Sequence, residues 1–407
     1  MSQPATTDAS RAKLSIGFIN WAHALDHYVM LIYPTAAISL VSIFGLKFAE
    51  LIALSTPAFV AFGVFALPAG WLADRWSRRN MMALFFAGCG VSLIGAGLAP
   101  TPILLAIAFT AVGMFAAIYH PVGTAMLIEQ AVSRGRSMAF NGVCGNLGVA
   151  LAAGATATLA VAFGWRAAFL VPGAVCLVTA VAYLLLVPDE RRKAAGRATA
   201  ADVPLAAWMA ATMFGLFIVI ALTAGLVFHV TTVALPKIVD ERAGVDLSLV
   251  VVGGIATLIL LCGAIAQLAV GRLVEIFPLH LLFAAVALLQ FVGVAWVAYA
   301  VGPMLLVALA VAVAAIYAQV TVNDLVIARY TADAWRGRVY AVRYFLTFVV
   351  SGAAVSLIAI LYGRGGFDLV LGTAAVIALG FVVATIAVAV LVNGVEKERT
   401  RVVAPAE

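Results

Sequence analysis

The chain has 407 residues, 65% of them hydrophobic and only 10% charged, with a mean hydropathy of +1.14. A soluble chain of this length needs polar surfaces over two or three domains and about a quarter of its residues charged, so a soluble enzyme, a disordered chain and a disulfide-stapled secreted domain are excluded. The net charge is +6, and in so apolar a chain that excess belongs to the cytoplasmic face of a membrane rather than to a nucleic-acid partner.

A spanning helix needs about 20 apolar residues, because about 30 Å of hydrocarbon is crossed at 1.5 Å per residue. Twelve such runs are expected, at 14–40, 47–72, 80–98, 101–128, 138–163, 166–187, 205–232, 247–271, 279–299, 302–328, 339–362 and 367–392. The runs are continuous rather than alternating, which points to helices and away from a barrel. The polar start, Met1 to Ser10, together with the length of the first apolar run, predicts no cleavable leader. Cys89, Cys144, Cys176 and Cys262 each stand alone in apolar sequence and read as small packing residues.

Basic residues set the orientation. With both termini inside, the outer loops carry only Lys47, Arg166, Lys237, Arg242 and Arg364 of the 24 Lys and Arg, so the termini are expected in the cytoplasm of a bacterial-type inner membrane. The longest polar stretch, Pro188 to Pro204, follows the sixth span. It divides the chain into an expected six-helix bundle at 1–187, a cytoplasmic linker at 188–204 and a second bundle with its tail at 205–407.

The halves repeat at an offset of about 202 residues. His27 corresponds to His229, Pro34 to Pro236, Arg134-Gly135-Arg136 to Arg336-Gly337-Arg338, and Gly164-Trp165 to Gly366-Phe367. Duplication of a six-helix unit suggests two bundles, related by a pseudo-twofold axis, that rock about a central site.

The loop after the second span reads Gly70-Trp71-Leu72-Ala73-Asp74-Arg75-Trp76-Ser77-Arg78-Arg79. It resembles the Gly-x-Leu-Ala-Asp-Arg-x-Gly-Arg-Arg motif of the major facilitator superfamily, with Ser77 where the second Gly is usual. The resemblance implies an all-α membrane fold of twelve helices and a conformational latch. In it, Gly70 lets helices approach, Asp74 faces the start of the eleventh span, and Arg75, Arg78 and Arg79 pair with acids such as Glu129. The second-half copy keeps Gly271, Arg272, Leu273 and Glu275, and Pro278 interrupts its basic end. Two marks of proton-driven exporters are replaced: Phe109 stands four residues before Gly113 where an Arg is usual, and Asn146 stands in the fifth span where a Pro is usual. The Gly145-Asn146-Leu147-Gly148 run is similar to the fifth helix of nitrate porters, but their buried Arg in the second and eighth helices are missing. The His and Tyr-Pro features of the first span and Tyr119-His120-Pro121 are similar to the fosmidomycin-resistance-like exporters.

Ionisable groups inside a bilayer are expensive and mark pathways. They are His23, Asp26, His27, His120, His229, Asp324 and Arg343, nearly all on the first, fourth, seventh and tenth spans, which line the cavity in the family. His23, Asp26 and His27 fall within about 100° of helix arc. A carboxylate beside two imidazoles suits proton exchange, so these three are the expected proton-coupling set. His-x3-His spacing also suits zinc, but too few acids accompany it, and neither a metal nor a cofactor is assigned. His120, Tyr119, His229, Tyr317, Thr321 and Asn146 are the expected cavity lining. Gly70, Asp74, Arg75, Arg78, Arg79, Glu129 and an Asp324–Arg343 ion pair are the expected gates. His280 is placed near the loop after the eighth span, as a neutral control.

No HExxH, GxSxG or paired-acid motif appears, which argues against an intramembrane enzyme. The sequence reads as a monomeric secondary transporter of a small molecule in the lipid bilayer, coupled to protons, with efflux ahead of uptake.

Overall fold

A computed structural model describes residues 4–188, 207–331 and 333–403. Among them every regular element is a helix: α1 Pro4–Phe44, α2 Phe48–Arg75, α3 Arg78–Leu98, α4 Pro102–Ala116, α5 Tyr119–Gln130, α6 Arg134–Phe163, α7 Ala167–Leu186, α8 Ala207–Arg242, α9 Leu249–Ile276, α10 Leu279–Tyr299, α11 Pro303–Tyr330 and α12 Asp333–Val403. The charged linker with Asp189, Glu190, Arg191, Arg192, Lys193 and Arg197 lies outside the described residues, as do the side chains of Arg134-Gly135 and Arg336-Gly337.

These elements map onto the twelve expected spans with two adjustments. The fourth span is broken into α4 and α5 at Ala117–Ile118. Pro121 explains the break: it has no N–H for the carbonyl of Ala117, and its ring clashes with that carbonyl in a regular helix. Conversely, α12 holds the eleventh and twelfth spans. Its apolar stretch Arg338–Asn393 has 56 residues, about 80 Å of helix where about 30 Å suffices for one crossing. The chain reverses at Gly365 and Gly366, the latter at φ 59°, ψ −157°. The repeat is visible in this backbone. Gly164 before α7 and Gly366 before the last span both take positive φ, 86° and 59°, where a side chain would be strained. Pro34 and Pro236, the other related pair, line one small cleft between α1, α6, α8 and α9.

Helix starts follow local chemistry. Ser77 departs from the family's usual Gly and caps α3, its Oγ accepting from Asn80 N at 3.2 Å. Thr101 does the same for α4 through Leu104 N.

Within the first half, α1 packs on α6, α2 on α4, and α3 on α4 and α7; within the second, α8 packs on α12, α10 on α11 and α12, and α9 on α11. The halves meet along two seams, α2 with α12 and α6 with α9, and more lightly at α1 with α8. Small residues bring the backbones together, as expected of helices packing in lipid. A Cβ at Gly63 would sit 2.9 Å from the Phe348 carbonyl carbon, one at Gly253 2.7 Å from the Ala153 carbonyl oxygen, and one at Gly352 2.6 Å from Val60. Phe48 packs on Tyr362 at 5.2 Å and lies under Lys237. The Phe48–Tyr362 and Gly253–Ala153 contacts fall in the part of the molecule away from the chain termini, and Gly63 meets Phe348 near its middle. On the termini side the halves separate: α5 packs on α1, α2, α3 and α6, and α11 on α8, α9, α10 and α12.

Candidate functional site

The centre of the molecule is built on one face of α1. His23 and His27, one helical turn apart, bring their Nε2 atoms to 3.1 Å. His23 Nδ1 lies 2.7 Å from the backbone carbonyl of Asn141 on α6. A carbonyl only accepts, so the His23 proton sits on Nδ1 and the Nε2 lone pair faces the cluster. Room for this ring comes from Gly145, where a Cβ would lie 2.6 Å from the imidazole.

Asp26 is fully buried, and among the described residues it is the buried acid of the chain. Its Oδ2 lies 3.2 Å from Nε2 of His120, and neither carboxylate oxygen has another partner among the described residues. A buried charge must be paired or neutralised, so this couple holds either an imidazolium with a carboxylate or a neutral acid with a neutral ring. The sequence reading put the carboxyl with His23 and His27. The structure instead turns it to α5, because the α4–α5 break swings His120 inward to meet it. The rings of His23, His27 and His120 form a triangle with centroids 4.9 to 5.4 Å apart. Tyr119 stacks on His23 at 4.8 Å.

Three residues that sequence reasoning passed over complete the setting. Asn141 accepts from the Tyr119 hydroxyl at 3.0 Å and donates to Asn20 at 2.9 Å. Phe62 from α2 and Phe348 from α12 close over His120, at 6.0 and 4.8 Å. Phe348 brings the second half to the cluster. The signal available was weak, since Asn141 stands at the polar entry of an apolar run and the Phe residues resemble any lipid-facing aromatic.

The remaining expected cavity residues divide. His229 on α8 is half-buried, and its Nε2 has no partner among the described residues. Tyr317 is buried against Phe228 at 5.6 Å, its hydroxyl unpartnered among the described residues, and Thr321 lies half-buried one turn further on. Asn146 is placed at the seam, donating to Gln267 Oε1 of α9 at 2.5 Å. Phe109, in the exporter Arg position, is buried against Tyr33 at 5.0 Å.

The gating residues are largely found together. Arg78 bridges Asp74 at 2.9 Å and Glu129 at 2.8 Å, tying the α2–α3 loop to the end of α5. A Cβ on Gly70 would meet Pro121 at 3.2 Å. Arg79 caps the end of α7 through the carbonyls of Leu184 and Val187, and Arg75 lies over Trp71 at 4.0 Å. Asp74 is exposed and pairs with Arg78. Asp324 and Arg343 form the expected ion pair, and the Tyr340 hydroxyl adds a bond to the Asp324 carbonyl. His280 lies beside the loop after α9, as expected, at the second residue of α10, but it is buried and its Nε2 pairs with Asn393 Oδ1 at 2.9 Å.

Comparison with known proteins agrees with this architecture. Residues 16–262 match the family described as Major Facilitator Superfamily. Similar solved structures include a bacterial homolog of the human lysosomal transporter Spinster in an inward-facing, occupied conformation (TM-score 0.70, 15% identity, covering 93% of this chain and 94% of that one). Another is a mutant of the nucleoside transporter NupG (TM-score 0.72, 12% identity, covering 93% and 99%). These likenesses show the fold. Among curated relatives, the puromycin resistance protein pur8 of Streptomyces alboniger is 32% identical over 148 residues, 36% of this chain and 29% of that protein. The 4-hydroxybenzoate transporter PcaK of Pseudomonas aeruginosa is 34% identical over 153 residues, 36% of this chain and 34% of that protein. The match thus spans about a third of the length of each of these curated relatives. With the family's sequence pattern matched over more than half of its length, and with the fold of that family, the chain belongs to the Major Facilitator Superfamily of multi-pass membrane transporters.

Proposed function

We propose that the protein is a secondary active transporter of a small organic solute, working by alternating access, coupled to protons and running in the efflux direction. The observation that carries this reading is the position of the His23–Asp26–His27–His120 cluster. It lies between the halves, where the seams part, and Phe348 of the second half rests on it. A solute bound there touches both bundles, so its binding is coupled to their rocking. The bundles 1–187 and 205–407 are the moving units. The basic loops put the termini in the cytoplasm, which makes the packed seam the outer gate and this conformation inward-open.

Asp26 is the proposed proton carrier, since among the described residues no second buried acid accompanies it to build a sodium cage. Efflux is favoured by the likeness to a resistance protein and by the helix features shared with exporters. Uptake by symport is the second reading. Phe109 and Asn146, which replace two exporter marks, and the likeness to a 4-hydroxybenzoate transporter favour it.

The test is flux in proteoliposomes under an imposed pH gradient, with a panel of labelled aromatic acids, nucleosides and cationic drugs. Gradient-driven accumulation of a panel member is expected, and Asp26→Asn should abolish it while sparing solute exchange at equal concentrations. Accumulation by Asp26→Asn at the wild-type rate would remove the proton role from this residue. The sign of the gradient that drives uptake into the vesicles distinguishes exchange from symport.

A further inference from the structure

The sequence presents His23 and His27 as a pair. Folding adds a third imidazole from a segment nearly a hundred residues away. One ligating nitrogen from each of His23, His27 and His120 lies within 4.8 Å of the other two, and the first two are already at 3.1 Å. Nitrogens bound to one tetrahedral zinc ion at 2.0–2.1 Å are about 3.4 Å apart, so small rotations of the rings close the set.

The outer contacts are those of a metal site. A ligating imidazole usually gives its other nitrogen to a carbonyl or carboxylate, which fixes the ring and its tautomer. His23 does so with the Asn141 carbonyl at 2.7 Å. His120 sets its Nε2 3.2 Å from Asp26 Oδ2, at ion-pair distance though without a made hydrogen bond, so a small turn of the ring would give it the same kind of support. Asp26 also brings a buried negative charge next to the place a cation would take, which offsets part of the cost of holding it there. All three rings are only half-buried, so they remain in reach of the space between the halves, and a fourth ligand position stays open.

We propose that His23, His27 and His120 form a binding site for one divalent d-block cation of the zinc type, with Asp26 and the Asn141 carbonyl positioning two of the rings. Three neutral imidazoles select zinc, cobalt, nickel or copper over magnesium and calcium, which want oxygen ligands. A chelating solute or water completes the coordination.

The experiment is a Co2+ titration of the purified full-length protein with any affinity tag removed, independent of transport. One equivalent should bind saturably with the visible absorption of four-coordinate Co2+, Zn2+ should displace it, and Mg2+ should not. His27→Gln and His120→Gln should weaken binding at least about tenfold, and Asp26→Asn, which removes only a positioning group, by about 10–100-fold. His280→Gln should bind as the wild type does. Zinc-edge X-ray absorption of the wild-type protein covers the case in which a variant fails to fold: three imidazoles at about 2.0–2.1 Å are expected. Absence of saturable Co2+ binding, unchanged affinity in both His variants, or a zinc shell of oxygen or sulfur ligands would each overturn the site. None of these results depends on whether the protein moves protons or which solute it carries, so the metal site and the transport reading stand or fall separately.

Discussion

Asn141 serves three neighbours at once. Its carbonyl takes the His23 proton, its Oδ1 takes the Tyr119 hydroxyl, and its Nδ2 donates to Asn20. Asn141→Ala keeps the first bond and orphans the other two partners, each at about 1–3 kcal/mol because they are buried. The variant should unfold at clearly lower temperature than the wild type in the same detergent, and an unchanged midpoint would show that water replaces the lost groups. Gly145→Ala tests the same ring from the other side. Its Cβ would lie 2.6 Å from His23, so the imidazole must leave its place beside His27, and Co2+ affinity should fall with little change in the seams. At this scale the sequence showed the stripe on α1, because helical spacing places His23, Asp26 and His27 together. It did not show that Asp26 faces His120, since that depends on the direction α5 takes after its break. It also did not show that His280 is buried, since hydropathy alone cannot tell an interior polar pair from a loop.

The element that holds the packed seam is the meeting of α6 and α9. Thr257 donates to the Ala150 carbonyl at 2.7 Å and accepts from Gly154 N–H at 3.1 Å. One hydroxyl of the second half thus clasps two backbone groups, one turn apart, on the first. Thr257→Val keeps the shape and removes both bonds. Each hydrogen bond between membrane helices contributes about 0.6 kcal/mol, so the pair is worth about 1 kcal/mol and the balance between closed and open seam should move about fivefold. Spin labels at the start of α2 and beside the Gly365–Gly366 reversal of α12 should report a larger fraction of long distances, and an unchanged distribution would assign the seam to glycine packing alone. Helix existence was legible from apolar run length, and the Arg78–Glu129 tie from the loop motif, whereas the Asp74–Arg78 pair was not, since the motif reading aimed Asp74 at the eleventh span. The clasp was not, because Thr257 is one polar residue in an apolar run and its partners are backbone atoms that every residue has.

At the scale of the whole molecule, two halves touch on one side of a polar centre and part on the other. If they rock about that centre, fastening them on the packed side must stop transport without unfolding either half. Asn146 and Gln267 provide the handle, since their side chains meet at 2.5 Å across α6 and α9. Cysteines at both positions, in a background where Cys89, Cys144, Cys176 and Cys262 are replaced, should be joined by a short thiol cross-linker. The native thiols must go because Cys144 is half-buried close to one handle and Cys262 is exposed close to the other. The joined protein should keep its fold and lose flux, and each single-cysteine variant treated the same way should keep its flux. With a reducible cross-linker, reduction should restore the rate. The reason is energetic as well as geometric. Alternating access needs both states within a few kcal/mol of each other, whereas a covalent bond across the seam removes one of them altogether. Full flux through the cross-linked protein would mean that the solute passes without the seam opening. The central cluster would then have to be reached from both sides by side-chain motion within fixed halves.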